Sequence, residues 1–245
     1  MVHSNGRSRK DAPVLPPGYR VYAVGDVHGR DDLLRDVFIR IDSDLKGHPS
    51  RRPIEVYLGD YIDRGPGSCA VIDLLTWRAQ HREVVVLKGN HETFVPAFLE
   101  NPAILRDWSR WGGLETLMSY GLRPSFNPGE AELMQLSDAL RDALPDSHQA
   151  FFDRLVPNFE LGDFYFAHAG VRPGRLLSDQ VESDLLWIRE EFLTFEGAFE
   201  KVIIHGHTPV IEPEFRPNRI NIDTGAYATG RLTCLMIEND TVFIV

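Results

Sequence analysis

The chain has 245 residues, 43% of them hydrophobic, and a formal net charge of −10. That length and apolar fraction suit one large domain with a full core. The acid excess, with a pI near 5.4, argues against nonspecific nucleic-acid or anionic-membrane binding, which needs a basic face.

Residues 1–18 are polar and proline-containing, with no apolar leader segment. They are expected to form a flexible tail ahead of a catalytic domain spanning residues 19–245. A first strand is expected over 20–25. Residues 31–45 carry apolar positions at helical spacing, with acids in the first turn. A second strand follows at 54–58, a helix at 67–80 and a third strand at 83–88. The strand ends recur about 30 residues apart, the size of a βαβ unit, so parallel pairing is expected. The region from Thr93 to Glu160 reads as helical, including the stretch HQAFFDRLVPNF. Strands return at 164–168, 201–205 and 219–223. The chain closes on a hairpin, 231–237 with 241–245, turning at END. No run reaches the roughly 18 apolar residues of a membrane-spanning helix. Two isolated cysteines, Cys69 and Cys234, make neither a disulfide framework nor a zinc motif, and a reducing cytoplasm fits.

Five polar motifs each follow a strand-like run: GDVHG, GDYIDRG, GNHE, HAG and HGHTP. They carry Asp26, His28, Asp60, Asn90, His168 and His207. Carboxylates, imidazoles and an amide oxygen suit two divalent cations of the manganese, iron or zinc type. In extended backbone, Asp26 and His28 would face one side and share a metal. Asp60 is the candidate bridge, having two oxygens. Arg64 offers a planar fork for phosphate. His91 is a candidate acid, and Glu92 either orients backbone or opens the next helix. His205 and His207 are expected on one face of a strand end, with His207 the ligand and His205 supporting or packed. Trp111–Tyr120 reads most simply as a helix cap and a packed helix.

This arrangement resembles the calcineurin-like metallophosphoesterases, and within them the small bacterial and phage PPP-type protein phosphatases. GDVHG, GDYIDRG, GNHE and HAG stand complete and in order. The resemblance implies a four-layer α/β/β/α sandwich with mixed sheets. It implies Asp26, His28 and Asp60 on one metal, and Asp60, Asn90, His168 and His207 on the other. The metals would be manganese first, with iron, zinc, nickel or cobalt as substitutes. It also implies His91 as the acid oriented by Asp63, and Arg64, Asn90 and Arg189 on the phosphoryl group. A hydroxide generated at the metals would attack phosphorus directly.

The expected substrate is a phosphorylated protein or peptide, at phosphoserine, phosphothreonine or phosphotyrosine. The alternative is symmetrical cleavage of a dinucleoside tetraphosphate, which the HGHTP motif and the Gly112–Tyr120 pattern also resemble. A non-catalytic scaffold is the remote third reading. The HGHTP and NIDTGAYATG segments depart from the eukaryotic phosphatases, and no regulatory subunit is evident.

Overall fold

The computed structural model describes residues 12–50 and 52–245. Alternation along the first strand sets the layers. In β1 (Tyr19–Val24), Val21 and Ala23 point into one core while Tyr22 and Val24 point into another. A strand buried on both faces must have a layer on each side.

The first sheet has the order β10-β9-β1-β2-β3, with β2 Arg52–Tyr57, β3 Glu83–Val86, β9 Cys234–Glu238 and β10 Thr241–Ile244. β1, β2 and β3 run parallel, as the motif spacing predicts, with Val21 opposite Ile54. β9 returns antiparallel on the other side of β1. The second sheet has the order β4-β5-β6-β8-β7, with β4 Asn158–Leu161, β5 Phe164–Ala167, β6 Val202–His205, β7 Glu214–Phe215 and β8 Arg219–Asn221. β5, β6 and β8 are parallel, and both edge strands are antiparallel.

The two sheets face each other across Val56, Leu58, Phe164, Phe166, Ile204, Ile222 and Leu235. Burying each such side chain stabilises the fold by roughly 1.5–3 kcal/mol. Helices α1 (Asp31–Gly47) and α2 (Ser68–Ala79) cover the outer face of the first sheet. Five more extend that layer: α3 (Phe94–Glu100), α4 (Leu105–Trp108), α5 (Gly113–Ser119), α6 (Glu130–Ala143) and α7 (Asp146–Asp153). α8 (Glu182–Trp187) and α9 (Glu190–Leu193) pack Leu185 and Phe192 against Tyr165, Ala167 and Ile203 of the second sheet. The short α10 (Ala226–Thr229) precedes β9. The layers are therefore helix, sheet, sheet, helix.

Three local expectations change. Asn158 and Phe159 are strand rather than helix: α7 stops at Asp153, Pro157 cannot donate to a continuing helix, and β4 pairs antiparallel with β5. β7 lies in a stretch left unassigned by periodicity. The last hairpin starts at Cys234, and Asn239 makes its turn with a φ of 52°.

Residues 1–11 of the expected tail lie outside the described residues. Within 12–18, Leu15 is buried and donates its N–H to Asn239 O at 2.8 Å, and Val14 N–H reaches Asp163 Oδ2 at 2.9 Å. This short segment clasps both sheets instead of hanging free. Cys234 packs as a small hydrophobe inside β9, and among the described residues no helix is long and apolar enough to cross a membrane.

Candidate metal centre

The loops that leave β1, β2, β3, β5 and β6 at their C-terminal ends converge on one edge, the usual place for a site in an α/β sheet. Their backbone is unusual. Outside glycine, only six described residues have positive φ, and five are His28 (46°), Asp60 (50°), Asp63 (73°), Arg64 (65°) and His207 (65°). Left-handed backbone is disfavoured for such residues and gathers at functional sites. His28 therefore reaches the site through a left-handed turn rather than strand alternation. That turn is held because Val27 and His28 both donate to Asp60 O, at 3.1 and 2.8 Å. His207 likewise turns away from His205. His205 ends β6 and packs edge-on to Phe192 at 4.8 Å, so the two histidines do not share a face.

On one side, His168 Nε2 lies 3.3 Å from Asp60 Oδ1, 2.9 Å from Asn90 Oδ1 and 3.2 Å from His207 Nδ1. On the other, His28 Nε2 lies 3.5 Å from Asp60 Oδ2. His91 joins that second group, with Nε2 at 3.8 Å from the same oxygen. Asp60 thus stands between two donor sets. Asp26 joins the site through its Oδ2, which accepts His207 N–H at 2.9 Å.

The donors have the chemistry of cation ligands. His28 Nδ1 and His168 Nδ1 meet the carbonyls of Ile62 and Leu58 at 2.9 and 3.0 Å. Those nitrogens must carry the hydrogen, which leaves each Nε2 with a free lone pair. Burial pushes His28 down to about 3 and His207 down to about 2, so both rings are neutral. Burial together with the charges of Asp223 and Asp60 pushes Asp26 well above the usual carboxylate range. Asp26 Oδ1 is buried and finds no hydrogen-bond partner among the described residues. Concentrated carboxylates, bare imidazole nitrogens and an orphaned oxygen fit two divalent cations. Two glycines let these groups meet. A Cβ on Gly206 would overlap Asp26 Oδ1, and one on Gly89 would overlap Asp60.

His91 Nδ1 is 2.6 Å from Asp63 Oδ2. Trp108 Nε1–H donates to the same oxygen at 2.8 Å, and the Thr116 hydroxyl donates to Oδ1 at 2.6 Å. Burial works against protonating His91, but Asp60 and Asp63 outweigh it and raise its pKa. Glu92 orients backbone: its buried carboxylate accepts N–H groups of Gly89, Asp60 and Tyr61 at 2.9, 2.9 and 2.7 Å. Burial and Asp60 raise it to about 8.

The segment around Trp111–Tyr120 does form a helix, yet it also holds Asp63 through Thr116 and receives Arg64 N–H at Gly112 O. Arg64 stacks on Tyr227 at 4.5 Å. Arg189 opens α9 and donates to Thr208 Oγ1 at 3.3 Å, while Glu191 pairs with Arg172 instead.

Sequence reasoning passed over Asp223, buried beside Asp26, and two of the three partly exposed rings at the rim, Trp187 and Tyr227; Trp111 it offered as an aromatic face for a base. Tyr227 sits 5.4 Å from His28, Trp111 6.2 Å from His91 and Trp187 6.2 Å from His207. For Trp187 and Tyr227 the only sequence signal was proximity to motifs: Trp187 lies two positions before Arg189, and Tyr227 lies within NIDTGAYATG.

Residues 19–234 match the calcineurin-like phosphoesterase family. A relative from Anoxybacillus flavithermus, named bis(5'-nucleosyl)-tetraphosphatase PrpE [asymmetrical], is 27% identical, covering 90% of this chain and 92% of its own. The structure of a putative diadenosine tetraphosphatase superimposes with a TM-score of 0.61 at 19% identity, covering 96% of this chain and 98% of its own. A mutant of a cold-active protein tyrosine phosphatase gives a TM-score of 0.61 at 15% identity, covering 94% and 80%. With its motifs, its paired sheets and its converging donors, the chain belongs to the calcineurin-like phosphoesterase family.

Proposed function

We propose that this chain hydrolyses a dinucleoside polyphosphate at the centre built from Asp26, His28, Asp60, Asn90, His168 and His207. The observation that carries this reading is the rim of Trp111, Trp187 and Tyr227, three partly exposed rings set against three site histidines. Nucleobases stack on such faces. The relatives named bis(5'-nucleosyl)-tetraphosphatase PrpE [asymmetrical] support the same substrate class and favour asymmetrical cleavage over the symmetrical cleavage that the motifs resemble.

Two divalent cations, manganese foremost, would supply Lewis-acid charge and lower the pKa of water when bound. Asp26, His28 and Asp60 would hold one, and Asp60, Asn90, His168 and His207 the other. The remaining steps belong to side chains. Arg64, held on the Tyr227 face, and Arg189, held by Thr208, present guanidinium groups to phosphoryl oxygens. Asn90, whose Oδ1 lies 2.9 Å from His168 Nε2, would offer its amide to the same oxygens. His91, whose pKa Asp60 and Asp63 raise against burial, gives its Nε2 proton to the departing oxygen.

A second reading, a phosphoserine or phosphothreonine protein phosphatase, is favoured by that same His91–Asp63 pair. A buried acid matters most for an alkoxide, which leaves poorly without a proton. The deciding measurement is kcat/KM for diadenosine tetraphosphate and for a phosphopeptide, side by side with manganese. The dinucleotide should be preferred and should give two unequal products. Trp111→Ala and Trp187→Ala should each raise its KM, since stacking contributes about 1–3 kcal/mol per base, and should spare phenyl phosphate. A preference for the phosphopeptide, with no KM change in either variant, would establish the second reading.

A further inference from the structure

A second cluster of metal-ligand side chains lies outside the centre described above. α2 presents Cys69 and Asp73 one turn apart on one face. α7 brings His148 against them. His148 Nε2 is 3.0 Å from Asp73 Oδ1, and Cys69 Sγ is 4.0 Å from Asp73 Oδ2. One ligand atom from each of the three residues lies within 4.8 Å of the others. We propose that Cys69, Asp73 and His148 form a third cation site, for zinc or a similar borderline-soft divalent ion, which pins α7 to α2.

The donor set is thiolate, imidazole and carboxylate. A carboxylate alone would favour hard cations, but sulfur and nitrogen beside it select the zinc class. Three protein ligands leave one tetrahedral position for water. That position has a way in, because the Asp73 side chain is 66% exposed while His148 is fully buried. The other ring nitrogen of His148 is already fixed: Nδ1 lies 2.8 Å from the Tyr120 hydroxyl. If Nδ1–H donates there, the Nε2 lone pair faces Cys69 and Asp73, as ligation requires.

The charges also balance. Binding releases the thiol proton to water, and the two negative ligands then neutralise the cation. Without a cation, burial and the Asp73 charge raise the Cys69 pKa and keep the thiol protonated. A divalent ion between the two groups reverses that opposition.

The position gives the site a structural consequence. Cys69 N–H donates to Ser119 Oγ at 3.1 Å, and the preceding Ser68 accepts Asp63 N–H at 3.0 Å. A cation here would brace the start of α2, the helix whose first residue supports Asp63. The site shares no ligand with the metal centre, and its occupancy is independent of which substrate is cleaved.

The test is cobalt(II) titration of the reduced, chelator-treated full chain, read by near-ultraviolet absorption. A thiolate bound to cobalt gives a charge-transfer band there. The centre built from Asp26, His28, Asp60, Asn90, His168 and His207 contains no sulfur and gives none. The expected result is a band whose final intensity corresponds to one thiolate-bound cobalt per chain, reached by the time three equivalents have been added because the other centre takes two, and which disappears when zinc is added. It should be lost in Cys69→Ser, weakened in Asp73→Asn and kept in Asp26→Asn. Cys69→Ser changes one half-buried atom, so its folding is checked by circular dichroism alongside. No band at excess cobalt, or a band that survives Cys69→Ser, would overturn the assignment.

Discussion

Asp63→Asn isolates one of the two carboxylate charges that raise the His91 pKa, the other being Asp60. Asp63 Oδ2 receives His91 Nδ1 at 2.6 Å and Trp108 Nε1 at 2.8 Å, while Oδ1 receives the Thr116 hydroxyl at 2.6 Å. An amide oxygen turned toward His91 and Trp108 keeps both of those bonds. The Thr116 hydroxyl can rotate to accept from the new amide nitrogen. Packing is thus preserved, and what disappears is the negative charge. A hydrogen bond to a charged group contributes about 1.5–3 kcal/mol and one to a neutral group about 0.5–1.5, so losing the charge alone removes about 1–1.5 kcal/mol. At roughly 1.4 kcal/mol per tenfold, kcat for a poor leaving group should fall about 5- to 12-fold. The assay compares phenyl phosphate with dinitrophenyl phosphate at saturating manganese. Loss should be large for the first and slight for the second, because a good leaving group needs little protonation. Metal content, measured on the same samples, should not change. Equal losses on both esters, or loss of metal, would refute the role of Asp63 as the group that orients and charges an acid.

Two further outcomes follow from the geometry. Gly206→Ala should deplete bound metal and hydrolysis together without unfolding the chain, since its new Cβ displaces Asp26 Oδ1; metal analysis and a thermal melt report the two effects separately. The Arg78–Asp42 pair, at 2.8 Å, sets an acid limit on stability. Its hydrogen bond from Arg78 holds Asp42 below the usual carboxylate pKa, against burial. The folded pKa is therefore the lower one. The pair contributes its full stabilisation above the unfolded value of about 3.9 and loses it as pH falls through the folded value. Asp42→Asn should lower Tm at neutral pH, by a modest amount because Asp42 is a third exposed, and the difference should vanish in strong acid. A Tm difference that persists unchanged below that range would show that packing, not charge, is responsible.

Much of this molecule is written in short stretches of chain. Short apolar runs mark β1, β2, β5 and β6, and helical spacing marks α1, because a strand covered on both faces is apolar throughout and a helix covered on one side is apolar along one face. The motif residues Asp26, His28, Asp60, Asn90, His168 and His207 could be named before any fold, since each follows a strand and ligand chemistry restricts residue type. What local pattern could not supply is contact across the chain. Thr116 meets Asp63 from 53 positions away, and Cys69 meets Ser119 from 50. No periodicity encodes such meetings. The left-handed turns at His28 and His207 also escaped, because a histidine enters that backbone only in a minority of places and the loops packed around these two select it. The same holds for Trp111, Trp187 and Tyr227. In sequence only Trp111 stands out as a face for a base, and only tertiary structure decided that these three stay partly exposed, each beside a different histidine of one site.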